Sequence, residues 1–358
     1  MTLAACNEIA DAALPDRAAA ARRLTLWLAL GLIAAMTASL AIGAAGTSLW
    51  STLADLALGR PLSSVDETIL WNIRLPRTLM GVLVGAALAV SGAVMQGLFR
   101  NPLADPGLVG VSAGAGLGAI SAIVLGSALP AGAMALVGAH LVPLAAFAGS
   151  WATTLLLYRV STRGGRTSVA TMLLAGIALG ALAAALSGLL VYAADDQQLR
   201  DLTFWGLGSL SGATWAKLMA AAPIIVVALL GAPFLARGLN ALALGEAAAG
   251  HLGVPVQRVK NLSVLAVAAA TGAAVAVSGG IGFVGIVVPH LLRLASGPDH
   301  RMLLPNAALL GAGLLLGADM ISRVVIAPAE LPIGIVTAIL GAPVFLWILL
   351  RNRMVVES

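Results

Sequence analysis

Read from its first residue, the chain alternates long apolar runs with short polar joints. The apolar runs cover approximately Leu24 to Ala45, Ile73 to Leu98, Gly107 to Leu129, Ala133 to Tyr158, Ser168 to Ala194, Trp215 to Leu235, Asn261 to Val277, Ile281 to Leu294, Leu303 to Ile326 and Pro332 to Leu350. Most approach the ~20 residues that a helix needs to cross a hydrocarbon layer ~30 Å thick. The pattern predicts an all-α integral membrane protein with about ten transmembrane helices.

One stretch departs from this rhythm. Asn261 to Leu294 is too long for a single span, and Ser278, Gly279 and Gly280 supply a break within it, because glycine tolerates the backbone conformations that end a helix. A short or Gly-interrupted segment is where transporters place functional backbone. The first run, Leu24 to Ile42, exceeds the apolar core of a signal peptide and follows a leader of mixed polarity, so it reads as a retained helix. The expected organisation is a cytoplasmic leader over 1–23, a transmembrane domain over 24–353 with a cytoplasmic segment at 236–260, and a tail over 354–358. Two stretches between spans are long. Ala193 to Thr214, with Phe204 and Trp205 and followed by Trp215, has the amphipathic mixture of an interfacial segment. Ala236 to Lys260 reads as a short helix pair.

Charge adds orientation. With a cytoplasmic N-terminus, 14 basic residues fall in inner joints and 6 in outer ones, the bias of the positive-inside rule. An even number of spans then returns the C-terminus to the cytoplasm. The net charge of +5 is spread over these joints, which gives no single patch for nucleic acid. With 60% hydrophobic and only 10% charged residues, the chain cannot cover itself with a water-compatible surface. The 41 glycines and the alanine runs, such as Ala266 to Ala270, suit close helix packing in lipid; GC-rich coding accounts for them equally. Cys6 is the single cysteine, so no disulfide framework or CxxC site forms within one chain.

Catalytic signatures are missing. No GxxxxGK[ST] phosphate loop occurs, so the chain does not hydrolyse ATP alone. His140, His251, His290 and His300 are scattered over different joints and spans, without metal-ligand spacing. Only Asp319 lies well inside an apolar run, and Arg323 follows it on the same helical face, which favours a paired, structural carboxylate. That disfavours the rival reading of an ion-gradient-driven secondary transporter, which needs a buried acid for coupling. At the outer side, Arg74 and Arg77 open the second span and Arg323 lies near the end of the ninth. Docking to carboxylates of a partner and simple interfacial anchoring explain these three arginines equally.

Three long motifs carry a family resemblance. The run RLPRTLMGVLVGAALAVSGAVMQGLFRNPLADPGLVGVSAGAG, Arg74 to Gly116, resembles the FecCD-type permeases that import vitamin B12, ferric siderophores and haem. GGIGFVGIVVPHLLRL, Gly279 to Leu294, and ELPIGIVTAILGAPVFLWILL, Glu330 to Leu350, resemble them in the same order. Within the family, Gly165 to Trp215 looks most like the haem importers, with ADDQQLRDLTFW as the discriminating core.

The resemblance implies the permease subunit of a type II ABC importer in the bacterial inner membrane, carrying haem from periplasm to cytoplasm; ferric siderophore and vitamin B12 are the alternative cargoes. It implies a second copy of the chain, two cytoplasmic ATPase subunits that bind the ATP, and a periplasmic haem-binding protein. It implies no permanent cofactor and no metal, haem being substrate. By the same resemblance Arg74, Arg77 and Arg323 dock the binding protein, and Leu244, Gly245, Glu246, Ala247, Ala248, Gly250, Leu252 and Gly253 form the segment that seats in the ATPase. Thr171 to Tyr192 lines the dimer-axis path, with Thr167 and Ser168 near its cytoplasmic gate. A wide apolar path for haem is expected to be lined or guarded by Met172, Tyr192 and Arg200, with Arg200 meeting either a propionate or Asp196 or Asp201.

Overall fold

A computed structural model describes residues 17–42, 58, 64–130, 132, 134 and 137–356. Cys6, Arg60 and most of the leader lie outside these residues. The helices are α1 (Arg17–Ala41), α2 (Leu75–Phe99), α3 (Val111–Leu125), α4 (Leu141–Ser161), α5 (Val169–Ala193), α6 (Asp196–Gly206), α7 (Trp215–Ala243), α8 (Glu246–His251), α9 (Val256–Ser278), α10 (Val284–Ser296), α11 (His300–Val324) and α12 (Ile333–Val356). A helical lead-in, Ser64–Thr68 and the π-turn Ile69–Arg74, runs into α2. A two-stranded hairpin, β1 (Thr162–Arg163) and β2 (Arg166–Thr167), joins α4 to α5.

Among the described residues, eight helices are long and apolar enough to cross a membrane, and α10 and the first part of α12 are shorter apolar helices. The ten apolar runs of the sequence thus correspond to α1–α5, α7 and α9–α12. Among the described residues, α6, α8 and the lead-in Ser64–Thr68 are short α-helices outside that set. Arg74, Arg77 and Arg323 come together at one end of the bundle, around the close of α1, and Arg293 and Lys260 lie at the other, bonded to Gln96 near the end of α2 and to Thr167 before α5.

At the centre stands α2. Every residue from Val84 to Phe99 is buried, as expected of a helix that is apolar on all sides and enclosed by others. Close approach is made possible by glycine: a Cβ built on Gly85 would meet the backbone of Gly311 in α11, and one on Gly92 would meet that of Gly285 in α10. α3 and α4 cross in the same way through Gly114 and Gly149. Lipid tails are as apolar as leucine, so packing contacts between small residues hold such helices together.

The predicted break falls where expected. α9 ends at Ser278, Gly279 takes φ +70° and Phe283 takes φ +69° before α10 begins. Non-helical backbone at membrane depth must find partners inside the protein, and it does. The N–H of Ser209 donates to the carbonyl of Ser278 at 2.8 Å, while Ile333 and Gly334 donate to the carbonyls of Gly208 and Leu207 at 3.0 Å. Three segments meet at this point because Gly208, Gly279 and Gly334 have no side chains to keep them apart.

One expectation needs correcting. Ala236 to Lys260 is not a separate helix pair: α7 continues to Ala243, only α8 is a short independent helix, and Lys260 is buried in the first turns of α9. Arg237 and Asn240 interrupt the apolar pattern in this stretch. Its apolar positions, Leu239, Ala241 and Leu242, are nevertheless core, and the Asn240 amide donates to Asp299 at 2.6 Å.

Candidate functional site

Two clusters of polar side chains occupy opposite ends of the bundle. At the end formed by the close of α1 and the starts of α2 and α7, Asp319 accepts from Arg77 Nε and Nη2 at 3.0 and 2.9 Å and pairs with Arg323. Arg77 also holds Glu330 with two bonds, at 2.7 and 2.9 Å. Arg323 donates onward to Ser39 Oγ at 2.8 Å and to the carbonyls of Ser39 and Ile42, and Arg74 donates to the carbonyl of Leu40 at 2.7 Å. The guanidinium groups thereby satisfy the carbonyls that the last turn of α1 leaves without helical partners, at the negative end of its dipole.

The Asp319–Arg323 pair is the one read from the sequence. Arg74, Arg77 and Arg323, expected to dock a binding protein, are 6%, 4% and 4% exposed and are engaged with internal acceptors. In this network it is Glu330, with a side chain 34% exposed, that reaches the surface. At the same end, Tyr192 is 92% exposed at the close of α5. α6 begins with a capping box, Asp195 accepting from the backbone of Gln198 while the Gln198 side chain accepts from the N–H of Asp195. Arg200 on α6 is exposed and donates to Gln197 at 3.0 Å, rather than pairing with Asp196 or Asp201.

The opposite end holds the segment between α7 and α9. Gly245 takes φ +105°, a conformation open only to glycine, and turns the chain into α8. Ala249 is fully buried against the body, whereas Leu244 and Leu252 are 68% and 64% exposed. Glu246, Ala247, Gly250 and Gly253 are exposed and Ala248 is half-buried. Two leucines beside a patch of small residues make a face that another surface can approach closely. Beside it, Asp299 caps α11. Burial works to raise its carboxyl, yet the Arg301 N–H, the Asn240 amide and the Arg301 charge outweigh this and hold it below the usual carboxylate range.

The same end carries the proposed gate residues. Thr167 is buried in β2, and Ser168 is the exposed N-cap of α5, accepting from the Thr171 N–H at 3.3 Å. Met172 is corrected: its side chain is 1% exposed and belongs to the core, on the opposite face from Leu174, Ile177, Leu189 and Tyr192. Those residues give α5 a long exposed apolar face. His290 is buried in α10, consistent with a helix-packing role. Among the described residues no cluster of His, Cys, Asp or Glu has the makings of a metal site.

Sequence reasoning missed three features at this end. Lys260 is 3% exposed, with Nζ 2.7 Å from Glu246 and 2.7 Å from the Thr167 carbonyl. Gln257 accepts from the Thr167 N–H at 2.9 Å. The hairpin turns on Gly164 and Gly165, both at positive φ, and the Gly-Gly pair between Thr-Arg and Arg-Thr was its sequence signal.

These features define a polytopic helical membrane protein with an exposed small-residue face at one end and a crossed-helix core. The residues from 31 to 351 match the FecCD transport family, and the chain belongs to that family. It is 47% identical to the hemin transport system permease protein HmuU of Yersinia pestis, across 91% of this chain and 96% of that one. It is 48% identical to the vitamin B12 import system permease protein BtuC of Salmonella typhi, across 83% and 88%. A solved metal-chelate type ABC transporter in an inward-facing conformation shares 32% identity and a TM-score of 0.79, covering 90% of this chain and 97% of the other. The protein is accordingly the ten-helix transmembrane permease subunit of a type II ABC importer.

Proposed function

We propose that two copies of this chain form the path by which haem enters the bacterial cytoplasm across the inner membrane, driven by two ATPase subunits and supplied by a periplasmic haem-binding protein. Supporting haem is the ADDQQLRDLTFW core, which lies in the capped, solvent-facing helix α6 beside the exposed end of α5. The end rich in Arg and Lys faces the cytoplasm, so both termini and α8 are cytoplasmic. The apolar face of α5 from Leu174 to Tyr192 faces the second copy and the dimer-axis path. Asp319, engaged by two arginines, is unsuited to the proton or ion binding of a gradient-driven carrier.

In this reading, closure of the ATPases moves α8, and Leu244 and Leu252 with their small neighbours are the contact. Leu252→Asp should abolish copurification with the ATPase while the permease itself stays folded; retention of the ATPase would remove α8 from the interface. On the outer side, an acidic residue of the binding protein reaches Arg77 by taking the place of Glu330.

Vitamin B12 is the second reading, favoured by the BtuC relatives. Arg200 separates the two. A haem carries two propionates, so Arg200→Glu should lower haem uptake by about tenfold, the value of one charge-assisted hydrogen bond. Parallel uptake of haem, cobalamin and a ferric siderophore in proteoliposomes decides the cargo, and haem uptake unaffected by Arg200→Glu would show that Arg200 does not touch it.

A further inference from the structure

We propose that Lys260 is the mechanical link between α8 and the hairpin that opens α5. The inference rests on the reading of α8 as the ATPase contact and of Thr167 and Ser168 as the gate. Lys260 lies in α9, yet its ammonium reaches two other elements: Glu246 at the start of α8 and the Thr167 carbonyl in β2, each at 2.7 Å. An ammonium has three donors and no acceptor, and one as buried as this requires acceptors on the spot, since leaving it unpaired is expensive. The two elements it joins are thereby held to each other as well as to α9.

Gln257, one turn earlier on α9, reinforces the same junction. It accepts from the Thr167 N–H at 2.9 Å, donates to Thr167 Oγ1 and donates to Asn261 at 2.6 Å. Thr167 is therefore gripped at its N–H, hydroxyl and carbonyl by one face of α9. Across the hairpin, Thr162 Oγ1 meets Thr167 Oγ1 at 2.9 Å, which ties in the end of α4. Glu246, by contrast, is 45% exposed and stands on the face offered to the partner. A displacement of α8 pulls on Lys260, and Lys260 pulls on the residue that immediately precedes the N-cap of α5. Lys260 touches no cargo and is a positioning residue.

The test uses the assembled importer in proteoliposomes, with ATP hydrolysis and cargo uptake measured on the same sample. Glu246→Gln and Lys260→Met should each raise the ATP consumed per cargo moved by about tenfold. The double variant should be no worse than either single one, because both cut the same link. Lys260→Arg, which keeps a cationic donor, should retain most of the coupling. A role in folding alone would lower hydrolysis and uptake together and leave their ratio unchanged; that result, or effects that multiply in the double variant, overturns the proposal. If Lys260→Met fails to assemble, Glu246→Gln decides by the same ratio, its side chain being partly exposed. Capture of the ATPase by Leu252→Asp would instead sink the ATPase-contact reading, an outcome separate from any change in ratio.

Discussion

Asp319→Asn should destabilise the folded permease by about 3–5 kcal/mol, the cost of removing one partner from a buried ion pair. Asp319 is fully buried and, from within the bundle, pairs with both Arg77 and Arg323. Without its charge, the two guanidinium groups remain close together with Glu330 as the carboxylate still bonded to Arg77, and arginine cannot shed its proton to relieve this. Glu330→Gln should cost far less, below about 1 kcal/mol, because its side chain is a third exposed and solvent screens it. Asp319→Leu combined with Arg323→Met should be less damaging than Asp319→Leu alone, since the pair is then removed together. Unfolding midpoints in detergent rank the four variants. An Asp319→Asn protein as stable as the wild type would mean that the network is dispensable.

That network also shows what the sequence could and could not reveal. The spacing of Asp319 and Arg323 places them on one helical face, so their pairing was legible. Arg77 lies 242 residues from Asp319, and its bond to Glu330 spans 253; no local pattern joins residues across such distances. Lys260 and Thr167 are hidden for the same reason, 93 residues apart. The spans, by contrast, were legible almost throughout, because lipid imposes a length and a composition on each one separately.

The face of a span is another matter. α5 is so uniformly apolar that nothing in its pattern separates Met172, which packs inward, from Leu174, which is 70% exposed. In water the polar face of a helix would have marked the difference; against lipid both faces are greasy. The continuation of α7 from Leu235 to Ala243 was hidden for the opposite reason. Polar residues usually signal a loop, but Asn240 serves as a bridge to the start of α11, donating to Asp299 and accepting from the His300 N–H at 3.0 Å.

Gly92 gives the second large effect. Its Cα faces the backbone of Gly285, and a methyl placed there would overlap the Gly285 carbonyl, which is main chain and cannot rotate away. α2 has nowhere to retreat, since all of its residues from Val84 to Phe99 are buried and Gly85 makes the same kind of contact with Gly311. Gly92→Ala must therefore part α2 from α10, at a cost at the upper end of the ~1–3 kcal/mol typical of overpacking. Gly92→Leu should prevent assembly of the bundle altogether. Gly31→Ala in α1 is the control, because a methyl there meets nothing within 4 Å and alanine is the better helix former. Folded yield and unfolding midpoint should fall steeply for Gly92→Ala and hold or rise for Gly31→Ala. Equal behaviour of the two would show that helix propensity, and not the α2–α10 crossing, governs these glycines.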